Sequence, residues 1–582
     1  MRQFFKFLFA SLCAIILFNL ILFIIVLGVA AGSSSSKDKV VGKNSVLLID
    51  LNEPIMEQGK ENTLAILSNQ SSTTIGLNDV LLSIENAKTD TKINGIYVKM
   101  GICPNGWASM QELRLALIDF QKTDKFVIAY GEVADHKSYY VASACKKVYL
   151  NPAGGMDYKG LAINGMFYKG TLDKLDIKTE AFHCGQFKGA YEPYKLEKYS
   201  DPNRYQLGVL LGDFYAEFLR GVSEKTGTDT TTLAAMARNG SVRFPKDALE
   251  AKLVDGLLFS DSVENIVKQK MKLKAKDKIN FISPDEYAAL IPSTSKSKDK
   301  IAILYADGTI YDGEGDEDIH SKDYIKVIRK LANDESIKAV VLRINSPGGS
   351  AMASEIIYHE LMELKKKKPI VVSMSNYAAS GGYYIACAAD SIFADQNTLT
   401  GSIGVVGVMF NIGDMLKNKL GVTTDVVKTG TFADFPNMSR PMTDLERTWI
   451  QSYLDSTYIQ FKSRVALARK MTMAQVEDLA QGHVYSGVSA KKINLIDDFG
   501  NMTRALQSAS ALAKLSSYKT VEYPKQVDKL EEIISKLTGQ KREEAVVKKV
   551  LGEDYVVYKE IQKLRSQQNQ LQTIMPMQFD IK

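Results

Sequence analysis

Residues 376 to 390 read NYAASGGYYIACAAD. Ser380 stands there among small residues, followed by two glycines and an apolar, helix-like run. The setting suits a reactive hydroxyl, because the N-terminal dipole of a following helix favours negative charge. A serine hydroxyl is nevertheless a poor nucleophile without a base. The chain has only five histidines, and none lies in a recognisable catalytic motif. His359 sits in a charged helical stretch and His320 in the acidic turn EGDEDIH, and both are expected to be exposed. His483 follows Gly482 in a segment that occurs twice, where its counterpart is Ser241. The base is therefore sought elsewhere, and a lysine kept neutral by burial can serve.

The elements that must position these groups come in two copies. VLLIDLNEPIMEQG from Val46 parallels IAILYADGTIYDGEG from Ile301, and INGIYVKM from Ile93 parallels IKAVVLRI from Ile337. Tyr139 and Tyr140 fall on Tyr383 and Tyr384, at the same offset of 244 that relates Ile93 to Ile337. GSVRFPKDALEAKLVDGL from Gly240 echoes GHVYSGVSAKKINLIDDF from Gly482. Each half alternates short β-branched strands with amphipathic stretches such as SAMASEIIYHELMELKKKK, which predicts α/β halves with largely parallel sheets. The halves span 46–291 and 301–524, joined by the polar linker 292–300.

The duplication acts as an internal control. Ser380 faces His136, Ser402 faces Tyr158, and the PGG of RINSPGGS faces CPN in KMGICPNG. Three small-residue turns are intact in the second half and altered in the first. Glycines directly after a strand let backbone N–H groups approach a substrate carbonyl and stabilise an oxyanion. The first half in turn carries HCGQFKGAYEPY where the second has VKTGTFADFPN, so Lys188 stands opposite Ala433. The two losses are complementary and predict one Ser–Lys site assembled across both halves.

Together SPGGS, AASGGYYIA, TGSIGV and QFKGAYEP resemble the long-form signal peptide peptidase A family, membrane-bound serine proteases of the S49 type. The resemblance covers nearly the whole chain. It implies tandem ClpP/crotonase-like α/β domains after an N-terminal transmembrane helix. It implies Ser380 as nucleophile, Lys188 as general base and Ser402 as the residue that orients the lysine. Backbone N–H groups around Gly348, Gly349 and Gly381 would bind the oxyanion. Signal-peptide remnants and similar hydrophobic peptides would be the substrates, in a homotetramer, with no metal or other cofactor. Asn345 departs from the family pattern, where aspartate is frequent. A crotonase-like acyl-CoA enzyme would share the glycine turn but predicts a cytoplasmic chain with a CoA site. A silent membrane scaffold would have lost the serine, the lysine or the glycine turns.

The remaining composition is permissive. At 582 residues the chain exceeds one ordinary core. A net charge of +6 with interspersed signs gives no argument for nucleic-acid binding. The five cysteines, Cys13, Cys103, Cys145, Cys184 and Cys387, show neither metal spacing nor a disulfide framework. Arg2 and Lys6 precede an apolar run from Phe7 to about Gly32, longer than the roughly 20 residues that span a bilayer. This predicts a transmembrane anchor over 1–32, a linker over 33–45 and a single-pass inner-membrane protein with its bulk in the periplasm. Cleavage at VAAGSSSS is the alternative. The Lys-, Glu- and Gln-rich tail, 525–582, is expected to be helical with a frayed end at MPMQFDIK.

Overall fold

The computed structural model describes residues 41–61, 73–291, 297–315, 317–525 and 572–575, with a few isolated positions before residue 20. The predicted anchor and most of the predicted tail lie outside the described residues. Among the described residues, no helix is long and apolar enough to cross a membrane.

Each half is built on a sheet of near-continuous apolar strands, as expected of parallel sheets covered on both faces. In the first half the order is Asn280–Ile282, Ser45–Asp50, Ile93–Lys99, Phe126–Ala134, Lys147–Met156 and Gly256–Leu257, all parallel. In the second half Lys519–Tyr523, Lys300–Asp307, Ile337–Ser346 and Ile370–Ala379 repeat the pattern. The duplication extends to an irregularity of register. Ser45 faces Ile93 and Val46 faces Gly95, while Lys300 faces Ile337 and Ile301 faces Ala339, the same slip at the same place. Both halves also carry a 26-residue helix, Asp201–Thr226 and Asp444–Arg469, capped by Ser200 and Thr443. These side chains accept backbone N–H groups that the first turn leaves orphaned.

A third, six-stranded sheet joins the halves. Lys178–Cys184 of the first half runs antiparallel to Val405–Asn411 of the second over seven residue pairs. Its other members are Ile319–His320, Ile310–Tyr311, Gly348–Ser350 and Gln572–Ile574. The last of these corrects the expected tail. Gln572–Ile574 is a strand rather than helix, and Met575, placed in a frayed end by sequence, is buried. The ladder forms with residues hundreds of positions away, which no local pattern announces.

Candidate active site

Ile370–Ala379 feeds directly into Ser380, which precedes the short helix Gly381–Ala386. In the first half the equivalent turn is relaxed: Asp135 caps the helix His136–Ala142 by accepting from Ser138 N. The second half has no capping side chain there, and Ser380 sits at φ 55, ψ −115. Such a conformation costs of order 1–3 kcal/mol for a residue with a Cβ and persists where its surroundings enforce it. Here Ser380 N donates to Gly401 O at 2.8 Å, and Tyr384 N donates to Ser380 O at 2.8 Å.

Lys188 is delivered by the strand that crosses between the halves. After Cys184 the chain turns at Gly185, φ 99, and Phe187 N donates to Gln481 O. Gly482 lies against the lysine so closely that a Cβ there would be 2.6 Å from Lys188 Cβ. Lys188 Nζ lies 2.9 Å from Ser380 Oγ, 2.9 Å from Ser402 Oγ and 3.0 Å from the Ser402 carbonyl oxygen. Lys188, Ser380 and Ser402 are all fully buried, with 0% exposure. Burial pushes the Lys188 amine well below its ordinary range, and no neighbouring charge opposes that shift. A neutral amine has two N–H donors and one lone pair. With the amine in that form, the Ser402 carbonyl and Ser402 Oγ are placed to accept the two hydrogens, which would leave the lone pair for the Ser380 hydroxyl. Ser402 is itself held at φ 50, its N–H donating to His483 O at 2.7 Å.

The glycine turn packs beside this group. Gly348 and Gly349 adopt φ 99 and 157, and a Cβ on Gly349 would lie 2.0 Å from Ile310 O. A Cβ on Gly382 would lie 2.7 Å from Ser346 O, so the helix start and the glycine turn are in close contact. Gly348 N donates to Ser346 Oγ at 3.2 Å. Gly381 opens a helix, whose first N–H groups have no intrahelical acceptor. Asn345 Nδ2 donates to Asp307 Oδ1 at 2.9 Å, a bond that an ionised aspartate at 345 could not make.

Among the described residues, the first half holds no comparable group. His136, in the place of Ser380, is buried against the Phe218 ring, its Nε2 accepting from Lys159 N, and burial holds it below its ordinary pKa. Tyr158, in the place of Ser402, is buried beside the same phenylalanine. Ala433, opposite Lys188, is exposed. Of the histidines expected on the surface, His359 is exposed, whereas His320 is half-buried and stacks on Tyr311. His483 packs its ring between Phe187 and Tyr485, and burial lowers its pKa to about 4. It contributes its carbonyl to Ser402, not its imidazole to Ser380.

Sequence reasoning missed one buried cluster that locks the halves together. Arg343 donates to Glu57 at 2.7 Å, to Glu112 at 2.6 Å and to Ser373 at 2.8 Å, and Ser375 also donates to Glu57. Asp395 lies in the same cluster, its carboxyl pushed well up by burial and by Glu112. The signal was Arg343 inside the apolar run AVVLRI, since a charge there must find partners.

A strained, buried serine within hydrogen-bond reach of a buried lysine amine, set on an α/β sheet, is an arrangement found among serine hydrolases. The profile of peptidase family S49 matches residues 119–274 and 362–516, one copy in each half. The Clp protease profile matches residues 293–398. The chain is 33% identical over 544 residues to Protease 4 of Salmonella typhi, covering 90% of this chain and 87% of that protein. It is 30% identical over 490 residues to the chloroplastic serine protease SPPA of Arabidopsis thaliana, covering 83% and 71%. Protease 4 of Haemophilus influenzae is 34% identical over 451 residues, covering 75% and 72%. The chain belongs to peptidase family S49, in tandem form, and is a serine-type peptidase.

Proposed function

We propose that this chain is a membrane-anchored endopeptidase with a Ser–Lys dyad that degrades cleaved signal peptides and similar hydrophobic peptides. The observation that carries the reading is the 2.9 Å contact between Ser380 Oγ and a buried Lys188 amine whose pKa burial holds down. Lys188 takes the Ser380 proton as the hydroxyl attacks a peptide carbonyl. The tetrahedral oxyanion forms beside the helix start at Gly381 and the turn at Gly348 and Gly349, whose backbone dipoles stabilise it. Lysinium then protonates the leaving amine, and the neutral amine activates water for deacylation. Ser402 holds the lysine in place through its two oxygens. The substrate class is supported by a relative from Enterococcus faecium described as a putative signal peptide peptidase SppA, 36% identical over 233 residues.

The predicted homotetramer has a physical basis in the duplicated edges. Val405–Asn411 pairs with Lys178–Cys184 inside the chain. The repeat counterparts, 161–167 and 423–429, form no strand, and Val422, Val426 and Val427 are exposed. Pairing 423–429 of one copy with 161–167 of the next would repeat the internal joint between chains, a head-to-tail contact that makes a ring when the rotation between copies closes. The apolar run from Phe7 would tether that ring to the inner membrane with its sites on the periplasmic side.

Ser380→Ala and Lys188→Ala test the dyad on a fluorogenic apolar peptide. Each is expected to lower kcat by about 1,000-fold or more. Unchanged hydrolysis in either variant, or a serine-directed label that attaches elsewhere than Ser380, overturns the assignment.

A further inference from the structure

Gln206 lies on the 26-residue helix Asp201–Thr226, and its side chain meets the backbone of the site from two sides. It is fully buried, with 0% exposure. Its Nε2 donates to the Phe187 carbonyl at 2.9 Å, and its Oε1 accepts from Val484 N at 3.0 Å. Phe187 directly precedes Lys188. Lys188 has φ −79 and ψ 69, an inverse γ-turn, closed by Gly189 N donating to the same Phe187 carbonyl at 2.9 Å. A three-residue turn closed by one bent hydrogen bond gives a base little stiffness, because such bonds weaken as they bend. The Gln206 amide adds a second donor to that carbonyl. On its other side, Val484 pairs with Gly401, whose carbonyl accepts from Ser380 N, and His483 O accepts from Ser402 N. One amide thus spans the turn of the lysine and the strand that fixes both serines.

The direction of the amide is fixed by its neighbours. A backbone N–H only donates, so Val484 takes Oε1. Asn203, one turn earlier, accepts from Gln206 Nε2 at 2.8 Å, its own Nδ2 being committed to Glu192 Oε2 at 2.9 Å. Glu192 is 1% exposed and also accepts from Ser200 N and Ser200 Oγ. A Cβ on Gly189 would lie 2.6 Å from Asn203 Nδ2, so the turn after Lys188 is pressed onto this group. The duplication supplies the contrast. The caps Ser200 and Thr443 align the two long helices, which sets Gln206 against Trp449 and Asn203 against Glu446. Trp449 packs on Phe432, the counterpart of Phe187, with 5.1 Å between ring centroids, and Glu446 bonds Arg440 and its own helix cap. Helix and turn meet in both copies, but the amide stands in the copy whose turn carries a lysine.

We propose that Gln206 is a positioning residue for the peptidase reaction, its amide holding the Lys188 turn in register with Ser380 and Ser402. The inference rests on the Ser–Lys reading, and the test separates the two. Gln206→Leu removes both bonds at similar volume. Gln206→Glu keeps an acceptor for Val484 N but, once ionised, cannot donate to Phe187 O, and it serves as the second variant should the leucine chain not fold. The kcat and KM of full-length chains on a fluorogenic apolar peptide are measured across pH. Gln206→Leu is expected to lower kcat about 10- to 100-fold and to leave KM within about twofold. A loosened turn admits water to the amine and raises its pKa, so the pH at which kcat rises should move up by roughly half a unit or more. Gln206→Glu should move it further, since a carboxylate favours the charged amine. Gln111→Leu is the control: Gln111 is also a buried amide, accepting from Asn397 N at 3.1 Å across the halves, and its loss should leave that pH in place. If Lys188→Ala is inactive while both Gln206 variants keep kcat within about threefold, the dyad stands and the proposal is overturned. A loss of kcat with no movement along pH, or a movement that Gln111→Leu matches, marks a merely structural role and overturns it too. Full activity in Lys188→Ala refutes the Ser–Lys reading and this inference with it.

Discussion

Replacing Lys188 by methionine keeps the length and apolar stem of the side chain and removes its amine. In the folded chain that amine is fully buried, bonded to Ser380 and Ser402, and held by burial well below the 10.5 of a free lysine. The sign of the effect follows from counting protons. On unfolding, the lysine returns to its ordinary range and takes up one proton at any pH between its folded and unfolded values. The unfolded state then binds more protons, so this group's contribution to stability rises with pH, by about 1.4 kcal/mol per unit. The rise ends near 10.5, above which both states are neutral. Methionine has no such linkage, and the other titrating groups are common to both proteins. Between pH 7.5 and 9.5 the stability of the wild type relative to Lys188→Met should therefore climb, by at most about 3 kcal/mol. At the low end the variant forfeits hydrogen bonds worth about 1 kcal/mol each but escapes the cost of deprotonating a buried amine. The measurement is urea unfolding of both full-length proteins at several pH values, following the transition that exposes residue 188. A stability difference that stays flat with pH would mean that Lys188 is charged when folded. The general-base assignment would then fail, independently of any activity assay.

Two further substitutions probe how the site is held. Gly482→Ala places a Cβ 2.6 Å from Lys188 Cβ and 2.8 Å from its backbone N, whereas its repeat counterpart Gly240 has nothing within 4 Å of the same position. Both glycines have positive φ, so Gly240→Ala should cost about 1 kcal/mol of backbone strain, while Gly482→Ala should cost several times more and abolish hydrolysis. Equal effects on thermal stability and activity would refute the close packing at Lys188. Arg343→Met strips the buried Glu57 and Glu112 of their cation and should destabilise the chain by about 3–5 kcal/mol. The check is the denaturation midpoint, and a shift corresponding to less than about 1 kcal/mol would show that the cluster does not lock the halves.

The parts of the site that were legible in sequence were those the duplication could compare. Ser380 and Lys188 each stand opposite a residue that cannot do the same work, His136 and Ala433, and their 2.9 Å contact agrees with that pairing. Parallel sheets were legible because a strand buried on both faces reads as an unbroken apolar run, as in IAILYA and IVVSMS. The tail strand was not legible. Three residues are too few for a periodic signal, and the charged stretch before them favours helix. Its fate is set by the slot between Gly348 and Val406, a feature of the assembled fold alone. The Arg343 cluster escaped for the same reason, since its partners Glu57 and Glu112 come from the other half.

The strand that crosses between the halves explains how the two losses could coexist. Lys188, four residues after the strand Lys178–Cys184, reaches the other half's serine because that strand pairs with Val405–Asn411, which itself begins just after Ser402. With this joint in place, a lysine after 423–429 would serve no serine within the same chain, and a serine at 136 would have no lysine. His136 packs against Phe218, whose ring also meets Trp107 and Tyr158, within the first half's core. The relaxed, Asp135-capped turn in the first half is the unstrained form of the turn that carries Ser380. Backbone strain is thus present in the copy that carries Ser380 and absent from the equivalent turn of the copy that carries His136. That contrast within one chain shows that the fold does not require the conformation of Ser380, since the same fold is achieved without it.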